Sequence, residues 1–127
     1  MVNLQEFVNR WSGKHIDYDH AYGAQCVDLV KQWESENKWP VVRGNAIDVP
    51  RNAGSAYSYT KNGLRNKPNA GDIVVFNFAY PYGHIGICTN ADYINLTCFE
   101  QNNPLGAGCR AVFHPMYRSV IGWLHHN

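Results

Sequence analysis

Apolar positions change their spacing once along this chain, near residue 70. Before that point they fall at helical intervals. Leu4, Phe7, Val8 and Trp11 recur at i, i+3, i+4 and i+7, which places them on one helix face. Asn3 stands where an N-cap belongs, Glu6 is placed for a capping box, and Gly13 supplies a stop. A second helical pattern covers roughly residues 26–37, with Val27, Val30 and Trp33 on its apolar side, Leu29 alongside and Pro40 beyond its end. Residues 43–69 are mixed and rich in Gly, Asn and Pro, so they read as connection, with one short helix near residues 53–59.

After "NAGD" the period shortens. The runs "DIVVFNF", "HIGICTN", "INLTCFEQN", "CRAVFHP" and "VIGWLHH" are short, rich in β-branched and aromatic residues, and punctuated by Gly, Pro, Asn and Asp. They follow one another without intervening helices, which predicts an antiparallel sheet. Helices first and strands second make an α+β domain, with N-terminal helices packed on that sheet. Neither a repeat nor a linker interrupts the chain, so residues 1–127 are expected to form one domain.

Composition narrows the classes of function. A formal charge of +1 gives no electrostatic case for nucleic acid. No apolar run approaches the ~20 residues of a membrane span, and "MVNLQEFVNRW" lacks the basic-then-apolar layout of a secretory signal. The four cysteines, at positions 26, 88, 98 and 109, form no CxxC pair and have no zinc-like histidine spacing. Cys88 and Cys98 lie in strand patterns, where a small buried hydrophobe is expected. Without an export signal, a disulfide is not.

Cys26 is different, because it falls where a helix should begin. The positive end of a helix dipole and its free N–H groups lower a thiol pKa and favour the thiolate nucleophile. Such a nucleophile needs a base and an orienting group brought near in space. His84, opening a strand directly after Gly83, is the candidate base. Glu100 and Asn102, two apart and therefore on one face of a strand, each offer an acceptor for the other ring N–H. Gln25 and a backbone N–H at the helix start are candidates to bind an oxyanion. The remaining histidines (His15, His20, His114, His125 and His126) read as surface or turn residues.

"YGAQCVDLV", "GDIVVF", "GHIGI" and "FEQN", in that order, resemble the CHAP family of cysteine, histidine-dependent amidohydrolases and peptidases, and within it the catalytic domains of phage lysins. The resemblance runs over nearly the whole chain and is weakest from residue 39 to 66. It implies a papain-like fold, with Cys26 as nucleophile, His84 as general base, Glu100 as the acidic third member and Asn102 as a supporting amide.

The segment before the cysteine carries a second pattern. Counting Asp17 as position one, Asp19 is three, Ala21 five, Gly23 seven and Asp28 twelve, which is the oxygen-ligand spacing of an EF-hand loop. Three carboxylates so close together repel one another unless a hard cation neutralises them, and calcium tolerates irregular oxygen shells. The pattern departs from an EF-hand in having Asp at twelve, Ala at five and Tyr22 at six, so Ala21 offers only its carbonyl. The family resemblance implies the same aspartates. One structural Ca2+ ion is therefore expected, and it would pin the segment that presents Cys26.

The resemblance implies a peptidoglycan hydrolase acting on Gram-positive walls, either an endopeptidase at the D-alanyl cross-bridge or an N-acetylmuramoyl-L-alanine amidase. Tyr22, Phe78, Tyr80 and Tyr82 are placed to border its cleft. The alternative is a catalytically silent, calcium-dependent wall-binding module, which keeps the aspartate loop but gives Cys26, His84 and Glu100 no task. The resemblance further implies a monomeric domain, joined to or partnered by a wall-binding unit outside this chain. Such a lysin is made in the host cytoplasm and released to the wall through holes made by another protein.

Overall fold

A computed structural model describes residues 2–127. Helix α1 spans Leu4–Trp11, capped as its sequence predicts: Asn3 Oδ1 accepts from the Glu6 N–H at 2.8 Å and Asn3 Nδ2 donates to the Glu6 carboxylate. Helix α2 spans Cys26–Glu36 with Gln25 as N-cap; the Asp28 carboxylate reaches back to accept from the Gln25 N–H at 2.8 Å. This fixes the backbone on both sides of Cys26.

The connection differs from the prediction of a short helix at residues 53–59. A 3-10 turn at Ala46–Asp48 runs into the one-turn helix α3, Val49–Asn52, and Tyr57–Lys61 is a strand, β1. "YSYTK" buries Tyr57 and pairs along its length with the last strand. Cross-strand pairing and good β-formers outweigh the Gly- and Asn-rich context.

The other five strands appear where predicted: β2 Ile73–Phe76, β3 His84–Ala91, β4 Leu96–Glu100, β5 Arg110–His114 and β6 Val120–His126. They form one antiparallel sheet in the order β1-β6-β2-β3-β4-β5. Strand alternation divides the apolar residues between two faces. Ile73, Val75, Ile85, Ile87 and Phe99 pack with Phe7, Leu29, Val30 and Trp33 of the helices. Val74, Phe76, Cys88, Leu96 and Cys98 form a second cluster on the opposite face, with Tyr117, Val120 and Trp123. All four cysteines are free, and Cys88, Cys98 and Cys109 are buried. Among the described residues, no helix is long and apolar enough to cross a membrane.

Candidate active site

The tip of α2 meets the start of β3 at the rim of the sheet. A cavity of about 620 Å³ opens there, and its walls include Cys26, His84, Gln25, Asn102, Asn103 and Tyr82. Gly83 makes the entry into β3 possible. It has φ +76°, and a Cβ there would sit 3.0 Å from the Phe76 carbonyl and 3.1 Å from the Ile47 nitrogen. Gly86 lets β3 lie close to β4, since its Cβ would press at 3.2 Å on Cys98, Phe99 and Glu100. The two glycines of "GHIGI" therefore frame His84.

His84 is buried, with its ring against Phe78 (centroids 4.8 Å) and Phe76 (5.6 Å). Its Nε2 lies 2.7 Å from Glu100 Oε1. Asn103 Nδ2 donates to that same oxygen at 2.8 Å, and His114 Nε2 lies 2.6 Å from Oε2. Burial acts to raise the Glu100 carboxyl, but hydrogen bonds from His114, His84 and Asn103 hold it below the ordinary glutamate range. An ionised carboxylate only accepts, so both histidines present Nε2–H to it. The His84 Nδ1 is left as the ring's free lone pair.

Two sequence expectations change here. Asn102 does not share a strand face with Glu100, because β4 ends at Glu100 and Asn102 adopts a left-handed backbone (φ 64°). Its Oδ1 accepts from the Gly106 N–H at 2.6 Å, and the amide that touches Glu100 is that of Asn103. Asn102 still lines the cavity. His114 is a buried partner of Glu100 instead of a surface residue. His125 is at the surface as expected, where it pairs with the buried Asp72 at 2.6 Å, and the half-buried His126 stacks on Trp39 at 4.4 Å.

The thiol also behaves differently from its position alone. Cys26 is the first residue of α2, as predicted, yet burial pushes it up to about 11, more than the N–H groups of Ile85, Val27 and Cys26 itself pull it down. Desolvation of a thiolate outweighs the helix tip. At rest the sulfur carries its proton, beside the backbone N–H that follows His84.

On the other side of Cys26, carboxylate oxygens of Asp17, Asp19 and Asp28 converge within 4.8 Å of one another. Asp17 Oδ1 and Asp28 Oδ1 are buried without a hydrogen-bond partner, and they are the only such side-chain atoms among the described residues. Burial first, then repulsion by Asp19 and Asp17, holds the Asp28 carboxyl above its usual value. Lys31 touches the other side of Asp19 at 3.5 Å. Ala21 and Gly23 lie in the turn between these aspartates, where the Ala21 N–H donates to Asp19 Oδ1 and Gly23 has φ +74°. Orphaned hard-oxygen donors of this kind fit a cation such as calcium.

Sequence reasoning missed Gln101, which is fully buried. Its Oε1 accepts from the Ile16 N–H at 2.7 Å, and its Nε2 donates to the carbonyls of Ile16 and Gln25, each at 2.8 Å. Phe99 and Gln101 thus face the helices while Glu100 between them faces His84. A glutamine at the end of a strand carries no local signal for such a tie.

A family model described as the CHAP domain matches residues 15–102. The chain belongs to the CHAP domain family. Endolysin PlyTW of Staphylococcus phage Twort is 41% identical over 96 residues, which are 68% of this chain and 20% of that protein. This CHAP domain therefore spans a fifth of that curated relative. The crystal structure of the wild-type endolysin LysIME-EF1 is similar over 99% of this chain and 65% of its own, with TM-score 0.77 and 27% identity. The structure of Ly7917 matches 98% of this CHAP domain and 63% of its own chain at TM-score 0.71 and 17% identity, a likeness of fold. The α+β architecture is that of these solved neighbours.

Proposed function

We propose that this CHAP domain hydrolyses amide bonds in the peptidoglycan of Gram-positive bacteria, with Cys26 as nucleophile, His84 as acid and base, and Glu100 as its orienter. The observation that carries this reading is a half-buried cysteine at a helix tip, sharing one cavity with a histidine whose far nitrogen is tied to a buried carboxylate. The likeness to endolysins supports the wall as substrate.

The resting thiol is protonated, so attack begins with proton transfer from Cys26 Sγ to His84 Nδ1, and Glu100 stabilises the imidazolium. The sulfur adds to the amide carbonyl. The resulting oxyanion faces N–H groups at the start of α2 and the Gln25 side chain. His84 returns its proton to the leaving amine, and a thioester remains on Cys26. Water, deprotonated by His84, then releases the acid and restores the thiol. Asn102 borders this cavity and shapes its rim through the Gly106 turn.

Asp17, Asp19 and Asp28 would hold one Ca2+ ion, with carbonyls of the intervening turn, including Ala21 and Gly23, completing the shell. The ion supplies charge neutralisation in the loop leading to Cys26. The aromatic side chains of Tyr22, Phe78 and Tyr82 border the cavity and are suited to receive glycan or stem peptide; the exposed Tyr80 lies in the same 78–82 segment. Such a domain is suited to work beside a wall-binding unit and to reach the wall by release from the host cell.

Turbidity of purified staphylococcal walls tests the reading directly. Cys26→Ala is expected to abolish clearing while its circular dichroism and melting temperature match the parent; clearing by that variant overturns the assignment. Mass spectrometry of the digest identifies the bond: new N-terminal glycine or alanine on peptides means an endopeptidase, and free L-alanine termini with intact sugars mean an amidase.

A further inference from the structure

Glu100 is fully buried, yet three donors reach it, and they divide unequally between its oxygens. His84 Nε2 and Asn103 Nδ2 both meet Oε1. Oε2 has one hydrogen-bonding side chain, His114. The terminal torsion of a glutamate is soft and roughly two-fold. With all donors on one oxygen, the carboxylate plane would be free to swing about that contact, and Oε2 would be a buried acceptor without a partner. The contact from the far side closes this freedom.

His114 is itself immobilised. It ends β5 opposite Leu96, four residues before Glu100 on the neighbouring strand, and its ring lies 4.4 Å from that of Phe76. Phe76 also borders His84 at 5.6 Å. The two imidazoles therefore share one aromatic wall and one carboxylate, at opposite oxygens.

We propose that His114 is a positioning residue of this site: by anchoring Oε2 it fixes the plane of Glu100, and through Glu100 the tautomer and aim of His84. This rests on the hydrolase reading above. His114 is not among the residues that line the cavity, so it acts through Glu100 and not on a reacting atom. Its contribution is geometric, and it belongs to the step in which His84 accepts and returns the proton.

The test compares His114→Phe, which fills the space but has no donor, with His114→Gln, whose amide N–H can still reach Oε2. Initial clearing rates are measured against wall amount. His114→Phe is expected to lower kcat by about 10- to 100-fold with KM nearly unchanged, the scale of a misaimed catalytic group. His114→Gln is expected to restore kcat to within a few-fold of the parent. In 15N spectra the Nε2–H of His84 should be a sharp, slowly exchanging signal in the parent and in the Gln variant, and broadened in the Phe variant.

A folded His114→Phe protein with parental kcat and an unchanged His84 signal overturns the proposal. So does an equal loss in the folded Gln variant, because then the donor is not what matters. If His114→Phe does not fold, His114→Asn, polar but too short to reach, takes its place with the same expectations. Cys26→Ala in the same assay keeps the two readings apart: clearing by that variant defeats the hydrolase assignment, whereas its inactivity beside a fully active His114→Phe defeats only the role of His114.

Discussion

Two groups of acidic side chains flank the cavity, and they meet burial in opposite ways. On the sheet side, Glu100 has both oxygens satisfied by His84, Asn103 and His114. On the loop side, Asp17 and Asp28 each keep a buried oxygen with no partner while a third carboxylate crowds them. A buried anion must be given donors, a cation or a proton. The sheet side carries its own donors. The loop side is complete only with something from solution, which is why we assign a cation there and none to Glu100.

The largest expected effect comes from breaking the satisfied side. Glu100→Gln turns an acceptor that serves three donors into a group that also donates, which loosens the tautomer of His84. We expect kcat to fall by about 10⁴-fold, on the model of other nucleophile triads that lose their orienting charge. Activity within a few-fold of the parent would mean that the carboxylate does not orient the base.

Next is removal of the cation from the unsatisfied side. At calcium about a hundred times its Kd, the ion should stabilise the fold by about 2.7 kcal/mol, so a chelator should lower Tm by about 10 °C and reduce clearing in parallel. Calcium should restore both. A melting curve and clearing rate indifferent to chelator would contradict the assignment. Asp28→Asn sharpens the comparison: it removes one charge of the cluster and should abolish most of the calcium-dependent rise in Tm. The calcium response of Glu100→Gln should match the parent.

Glu34, away from both groups, supplies the remaining solution and the smallest effect. Glu34 is fully buried, accepts from the Val42 N–H at 3.1 Å, and lies 3.3 Å from the Tyr57 hydroxyl, which is already committed to the Pro40 carbonyl at 2.5 Å. Desolvation pushes its carboxyl up to about 8. An unfolded glutamate titrates near 4.5, so between those values the folded chain keeps a proton that the unfolded chain has lost. Stability from this group is full below the lower value and falls as pH rises toward the upper one, by at most about 1.4 kcal/mol per pH unit. Glu34→Gln should flatten that slope in urea titrations between about pH 5 and 8. An unchanged slope would place the proton elsewhere.

Much of this arrangement was legible in the chain because it is local. The Asn3 cap, the helical spacing of Leu4, Phe7, Val8 and Trp11, and the strand runs after residue 70 each contain their own signal. So do the order of Cys26, His84 and Glu100 and the spacing of the three aspartates. What escaped depends on contacts between segments far apart in sequence. His114 looks like a turn residue until β5 is laid beside β4. "YSYTK" becomes a strand only because β6 offers it an edge. The thiol's upward shift follows from packing that no helix-start rule contains. Asn103, and not Asn102, meets Glu100 because β4 stops one residue after Phe99.

Gln101 gives the comparison a further turn. Its amide knots both stems of the aspartate turn, at Ile16 and Gln25, to the strand end that carries Glu100. That knot is electrically neutral. Salt and mild acid weaken attraction between charges but act little on amide-to-amide hydrogen bonds. The residue that precedes the thiol is thus moored by an uncharged fastening, one whose hold does not depend on the state of the charged turn beyond it.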